Sequence, residues 1–109
     1  MSHKIRKRIT AKPKARARVF AALADKTRLA IVARLCSGQP ASISQLANDS
    51  KLTRQAITKH LGLLERAGFV RSSHAGRERI FQFDPEPLES IQAYLASVSK
   101  QWDQTPGAP

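Results

Sequence analysis

Apolar positions repeat at helical spacing in five stretches of the chain, and two further stretches have strand character. In residues 15–24, Val19, Phe20 and Leu23 form one stripe. In residues 26–36, Leu29, Val32, Leu35 and Cys36 stand at i, i+3, i+6 and i+7, which predicts that they face inward. Asp25 precedes that run and reads as its N-cap, since a carboxylate accepts from the free amides of a first turn. Ser37-Gly38-Gln39-Pro40 stops it. Ile43, Leu46 and Ala47 mark a short third helix, capped by Ser42 or Ser44. Thr53 caps a fourth, running to about residue 67, in which Ala56, Ile57, Leu61 and Leu64 turn inward and which Gly68 ends. Residues 69–73 and 77–83 are rich in β-branched and aromatic side chains, and His74-Ala75-Gly76 connects them as a hairpin. After Asp84-Pro85, a last helix over residues 86–102 lines up Leu88, Ile91, Leu95, Val98 and Trp102 in steps of 3, 4, 3 and 4, with Tyr94 beside them.

The third and fourth helices, with the short turn between them, have the layout of a helix-turn-helix. Ala47 supplies the small residue where two helices cross, Leu52 the apolar plug in the turn, and Ile57 and Leu61 the anchors of the second helix. The remaining face of that helix carries Arg54, Gln55, Thr58 and Lys59. Arg and Lys donate to guanine N7 and O6, and Gln pairs with adenine, so this face suits the major groove. The Thr53 hydroxyl and the helix N-terminus suit a phosphate. In the hairpin, Arg71, Arg77 and Arg79 suit a neighbouring minor groove or its backbone, Arg77 foremost because it follows Gly76 at the turn. Glu78 alternates to the face opposite Arg77 and Arg79.

The predicted fold is therefore mainly α with a β-hairpin wing, in the order helix, helix, helix, helix, strand, strand, helix. This winged helix-turn-helix spans residues 15–102, between a basic tail over 1–14 and a short tail over 103–109. A chain of 109 residues has little interior to cover two long apolar stripes. The stripes of the first and last helices (Val19, Phe20, Leu23, Leu88, Ile91, Tyr94, Leu95, Val98, Trp102) are accordingly expected to bury each other across a two-fold axis. That would set two reading helices about 34 Å apart, one turn of DNA.

Charge strengthens this picture. Lys and Arg total 19 against 8 Asp and Glu, a net charge of +11. Residues 1–18 hold eight basic groups and no acid, and residues 51–79 hold seven against Glu65 and Glu78. Residues 84–109 reverse the sign. Such a distribution suits a polyanion on one face and a protein partner on another. The basic tail fits an arm that neutralises phosphate without reading sequence. The single cysteine excludes an internal disulfide and fits a reducing cytoplasm. No apolar run approaches the ~20 residues of a membrane span, and no secretory signal is legible.

Leu23-Ala24-Asp25-Lys26-Thr27-Arg28-Leu29-Ala30-Ile31-Val32 resembles the "LADPTRLRIL" opening of ArsR-type bacterial regulators. Thr58-Lys59-His60-Leu61, the following Leu64-Glu65-Arg66-Ala67-Gly68-Phe69-Val70, and Gly76-Arg77-Glu78-Arg79 resemble the same family. The resemblance covers roughly residues 15–102. It implies a homodimeric winged-helix repressor that an inducer releases from DNA. Ser50 and Lys51 depart from it, standing where the family usually has an apolar residue and a Gly.

Many members of that family sense metals through a Cys-x-Cys pair on the third helix or carboxylate and His ligands on the last. Here Ala41 to Asn48 has no Cys, and Glu86 to Trp102 has neither His nor Cys. No metal and no cofactor are expected, and Cys36 is expected in the core. An apolar small-molecule inducer between the first and last helices stays open, as does no inducer at all. The reading is thus a DNA-binding transcriptional regulator, not an enzyme, since no paired carboxylates, nucleophile with base, or Gly-rich phosphate loop is present. The second reading is a sequence-neutral architectural DNA- or RNA-binding protein. Aromatics are only 6% of residues, which disfavours single-strand stacking.

Overall fold

The computed structural model describes residues 13–107. It contains α1 (Pro13–Leu23), α2 (Lys26–Cys36), β1 (Ala41–Ser42), α3 (Ile43–Ser50), α4 (Arg54–Arg66), β2 (Val70–Ala75), β3 (Glu78–Phe83) and α5 (Glu86–Asp103). The five helices and the hairpin stand in the expected order. The expected basic tail lies outside the described residues as far as residue 12. Pro13 and Lys14 instead open α1, where a proline's fixed φ and missing N–H suit a first turn. The sheet has one strand more than the predicted hairpin. Ala41 pairs with Phe81 and Ser42 with Ile80, giving three antiparallel strands in the order β1-β3-β2.

The helix boundaries follow from local chemistry. Asp25 caps α2 by accepting from the Arg28 amide at 3.0 Å. Ser42, not Ser44, caps α3. Its hydroxyl accepts from the Gln45 amide at 3.1 Å, and the Gln45 side chain accepts from the Ser42 amide at 2.8 Å, a reciprocal capping box. Thr53 caps α4 by accepting from the Ala56 amide at 3.0 Å. At the other end of α4, Phe69 N–H donates to the Leu64 carbonyl at 2.9 Å and Gly68 N–H to the Glu65 carbonyl at 3.0 Å. This is a Schellman stop, and it needs the left-handed conformation Gly68 adopts at φ +86°.

The core gathers one face of each element. Ile57, Leu61 and Leu64 of α4 gather with Phe69, just before β2, and with Val70 and Phe81 of the sheet, all essentially removed from water. Each such side chain contributes about 1.5–3 kcal/mol by leaving water. Ile31 and Leu35 of α2, Leu46 and Ala47 of α3, Val19 of α1 and Ile91 of α5 complete the cluster, with Leu52 packed against it. The inward line of α2 differs from the expected one. Ile31 and Leu35 are buried and Val32 half-buried, while Leu29 is 50% exposed and Cys36 is exposed. Leu29 and Cys36 stand roughly 100–160° around the helix from the buried pair, on a second apolar line that spacing alone does not distinguish from the first.

Lys51, at the C-cap of α3, has φ 62° and donates its amide to the Ala47 carbonyl at 2.9 Å. It occupies the left-handed conformation that a glycine takes without strain. Replacing Lys51 by Gly is expected to raise stability by about 0.5–1 kcal/mol, the relief of left-handed strain less the added chain entropy of Gly. Replacing Gly68 by Ala has the opposite sign, because a Cβ there meets Pro87 Cγ at 3.2 Å and the φ is positive. A loss of about 1–2 kcal/mol is expected. Urea titrations of the two variants beside the parent check both.

The Arg28 amide, and after it the Arg28 guanidinium, hold the Asp25 carboxyl below its ordinary value of 3.8, against some desolvation. A lowered acid stabilises the fold above the unfolded value and loses that contribution as pH falls through the folded one. Thermal melts are therefore expected to show the parent above Asp25→Asn near neutral pH, with the gap closing below pH 3.8.

Candidate nucleic-acid interface

The helix-turn-helix is held in shape before any partner arrives. The Arg34 guanidinium of α2 reaches Asp49 of α3 at 3.1 Å, and donates to the Gln39 carbonyl at 3.2 Å. In the turn, the Ser50 hydroxyl donates to the Leu46 carbonyl at 2.9 Å and accepts from the Leu52 amide at 3.3 Å. Leu52 is thereby fixed as the plug, and Lys51 makes the sharp reversal. Ser50 and Lys51, which depart from the family pattern, thus still close the turn.

On α4 the buried line of Ile57, Leu61 and Leu64 leaves the opposite line outward. Arg54, Gln55, Thr58 and Lys59 are all exposed. The structure distinguishes them in a way the sequence does not. Arg54 donates through Nη1 to the Ser44 hydroxyl, tying the first turn of α4 to that of α3. The Thr58 hydroxyl donates to the Arg54 carbonyl at 2.7 Å, so its proton is spent within the helix. The Thr53 oxygen accepts from the Ala56 amide, which leaves its hydroxyl proton for a partner. Gln55 and Lys59 stand beside Arg54 and Thr58, exposed on the same side of the helix.

In the wing, a two-residue turn at Gly76-Arg77 joins β2 to β3, with Gly76 at φ +66°. Arg77 is exposed at the tip. Residues directly opposite in the register share a face, so Val70, Ser72, His74, Arg79, Phe81 and Phe83 form the inner side. Arg79 therefore points back. Its Nη2 donates to Glu65 Oε1 of α4 at 3.2 Å and to the Ser72 hydroxyl at 2.9 Å, and its guanidinium lies 4.9 Å over the Phe81 ring. The Ser72 hydroxyl in turn donates to Glu65 Oε2 at 3.0 Å. Arg71, on the outer side, is largely exposed and sits 3.5 Å from Asp84. Glu78 is on the face opposite Arg79, as expected. An open groove of about 410 Å³ runs between wing and helix, walled by Ser44, Arg54, Arg77 and Arg79, with Glu78 as its acid. Ser44, offered by the sequence only as a cap, and Glu65 and Ser72, to which it assigns no role at the interface, join this site. Their partners lie 7 to 14 residues away, beyond any helical or strand spacing.

The apolar residues assigned to a dimer face fall into two sets. Val19, at 9% exposure, and Ile91, at 5%, are part of the protomer's own core, and Leu23 packs on it. Phe20, Leu88, Tyr94, Leu95, Val98 and Trp102 are exposed, Trp102 by 52%. The Phe20 and Tyr94 rings meet edge-on with centroids 6.1 Å apart, and the Arg16 guanidinium lies 4.3 Å over Tyr94. Among the described residues, no group of three or more His, Cys, Asp or Glu could hold a metal ion. Nor is any helix among them long and apolar enough to cross a membrane.

A helix-turn-helix with an outward polar reading face, followed by an Arg-tipped wing, defines a winged helix-turn-helix DNA-binding regulator. Comparison with known proteins agrees. A family model described as a helix-turn-helix domain matches residues 23–73. The HTH-type transcriptional regulator Rv2034 of Mycobacterium tuberculosis (strain ATCC 25618 / H37Rv) is 41% identical over 78 residues, covering 72% of each chain. The crystal structure of the ArsR family transcriptional regulator RHA00566 superposes with a TM-score of 0.80 at 34% identity, over 87% of this chain and 97% of that one. The homodimeric winged helix-turn-helix DNA-binding domain of Mb0332 from Mycobacterium bovis shares the fold, with a TM-score of 0.65 at 23% identity, over 81% of each chain. The chain belongs to the ArsR family of helix-turn-helix transcriptional regulators.

The Glu65–Arg79 pair fixes the wing against the reading helix. A double-mutant cycle with Glu65→Gln and Arg79→Met is expected to give a coupling of about 0.2–1 kcal/mol, the range of a partly exposed pair. Faster amide exchange in the wing of either single variant is the accompanying readout.

Proposed function

We propose that this protein is a homodimeric repressor that reads a two-fold-related duplex site with α4. The observation that carries this is the exposed line of Gln55 and Lys59 on a helix whose opposite line, Ile57, Leu61 and Leu64, is buried in the core. Gln55 pairs with adenine and Lys59 donates to guanine in the major groove. Thr58, its hydroxyl proton spent, offers its methyl to a thymine methyl. Thr53 and Arg54 meet phosphate at the helix start, and Arg77 and Arg71 meet backbone or minor groove beside it. Arg79 acts through Glu65, by setting the wing. The basic N-terminal residues add phosphate contacts.

Dimerisation through α1 and α5 is supported by the six exposed large apolar side chains on those helices and by the homodimeric fold relative from Mycobacterium bovis. Repression, a cytoplasmic location and the absence of catalysis accord with membership of a family of transcriptional regulators. An inducer would enter the cavity of about 170 Å³ between α1 and α5, which Arg18 and Arg66 line beside Val19 and Pro87.

Two substitutions separate reading from holding. On a duplex the parent selects, Gln55→Ala is expected to cost about 1–3 kcal/mol and relax discrimination at one base position, with little change on random duplex. Arg77→Ala is expected to weaken all duplexes alike and to reduce the salt slope by about 1. Fluorescence anisotropy over a salt series reads both. Uniform losses for Gln55→Ala would reassign it to the backbone and favour a sequence-neutral protein.

A further inference from the structure

The Asp25-Lys26-Thr27-Arg28 segment carries part of the family resemblance, yet it belongs neither to the reading line of α4 nor to the wing. Its arginine, on α2, reaches two other helices. Arg28 Nε donates to the Ala22 carbonyl at 2.7 Å and Nη2 to the Ala21 carbonyl at 3.3 Å. Both carbonyls are in the last turn of α1, where the helix dipole is negative, and that of Ala21 also accepts from the Ala24 amide at 3.1 Å. Nη1 lies 3.4 Å from Nδ1 of His60 on α4. The Arg28 amide donates to Asp25 Oδ2, and that oxygen is 3.8 Å from the same ring nitrogen. Alongside, a cavity of about 260 Å³ lies between α1 and α4, bounded by Ala22 and Leu63 among others. The two helices are not close-packed there, and the guanidinium bridges them.

We infer that Arg28 is a positioning residue for DNA reading: bridging the end of α1 and the middle of α4, it fixes the angle between the helix that pairs two copies and the helix that reads the groove. The inference rests on the dimeric regulator proposed above. A dimer measures the distance between two half-sites only if each reading helix is rigid against its dimer helix. Arginine suits the task, since one planar fork serves two carbonyls and a ring nitrogen together, whereas lysine is a point charge on a flexible stem. For Nη1 to donate, His60 Nδ1 must accept, which places the ring proton on Nε2.

The test uses the duplex that the parent protein selects from a random pool, the same duplex with one base pair added or removed between half-sites, and a single half-site. The parent is expected to lose about tenfold or more on respacing. Arg28→Lys is expected to keep the parent's affinity for the single half-site while its respacing penalty falls below about threefold. His60→Ala, which removes one arm of the bridge, shifts the penalty the same way and decides the question if Arg28→Lys fails to fold. An unchanged penalty in a folded variant overturns the inference. So does an equal loss on half-site and full site with the penalty intact, which is a purely structural role. A parent with no spacing preference at all defeats the regulator reading and this inference with it, and that failure is visible before any variant is made.

Discussion

The reading face of α4 depends on the burial of its opposite face. Ile57, Leu61 and Leu64 are removed from water against the sheet and the neighbouring helices. The cost of exposing them, several kcal/mol in sum, fixes the rotation of the helix about its own axis. That rotation alone decides that Arg54, Gln55, Thr58 and Lys59 face outward together. The cap at Thr53 and the Schellman stop at Gly68 then fix where the helix starts and ends along its axis. Two small chemical devices and one apolar stripe thus place a polar surface with little freedom left.

Around that helix, several polar side chains hold the site in shape, whatever else they offer a partner. Arg54 shares its guanidinium with Ser44, Thr58 donates into its own helix, and Arg79 clasps Glu65. These bonds connect α3, α4 and the wing into one unit. Pre-organisation of this kind lowers the ordering cost on binding. Arg28 extends the same logic to α1. The basic charge therefore has two uses, one internal and one for a polyanion, and net charge alone does not apportion them.

Much of this was legible in the sequence. Helical spacing, the caps at Asp25 and Thr53, and the stop at Gly68 describe local events, decided within about one turn of chain. The apolar plug at Leu52 and the anchors at Ile57 and Leu61 have a spacing that few other arrangements use. What the sequence did not disclose depends on partners far along the chain. β1 is two residues long, and only Phe81 and Ile80 make it a strand. On α2 two apolar lines compete, and tertiary packing chose Ile31 and Leu35 over Leu29 and Cys36. Arg79 was read as outward because strand alternation gives two sides and does not say which one meets α4. Val19 and Ile91 share stripes with exposed residues, and only the packed fold reveals where each stripe passes from core to surface.

The exposed line of α4, doubled by a two-fold axis, is proposed to read sequence. The most direct measurement is selection of bound fragments from a random duplex pool with the purified protein, followed by affinity for the winner against random duplex at one fixed salt. Enrichment of a two-fold-related site, bound by a dimer about 10³-fold or more tightly than random duplex, is expected. Enrichment of nothing, with equal and equally salt-sensitive binding to every duplex, would contradict it.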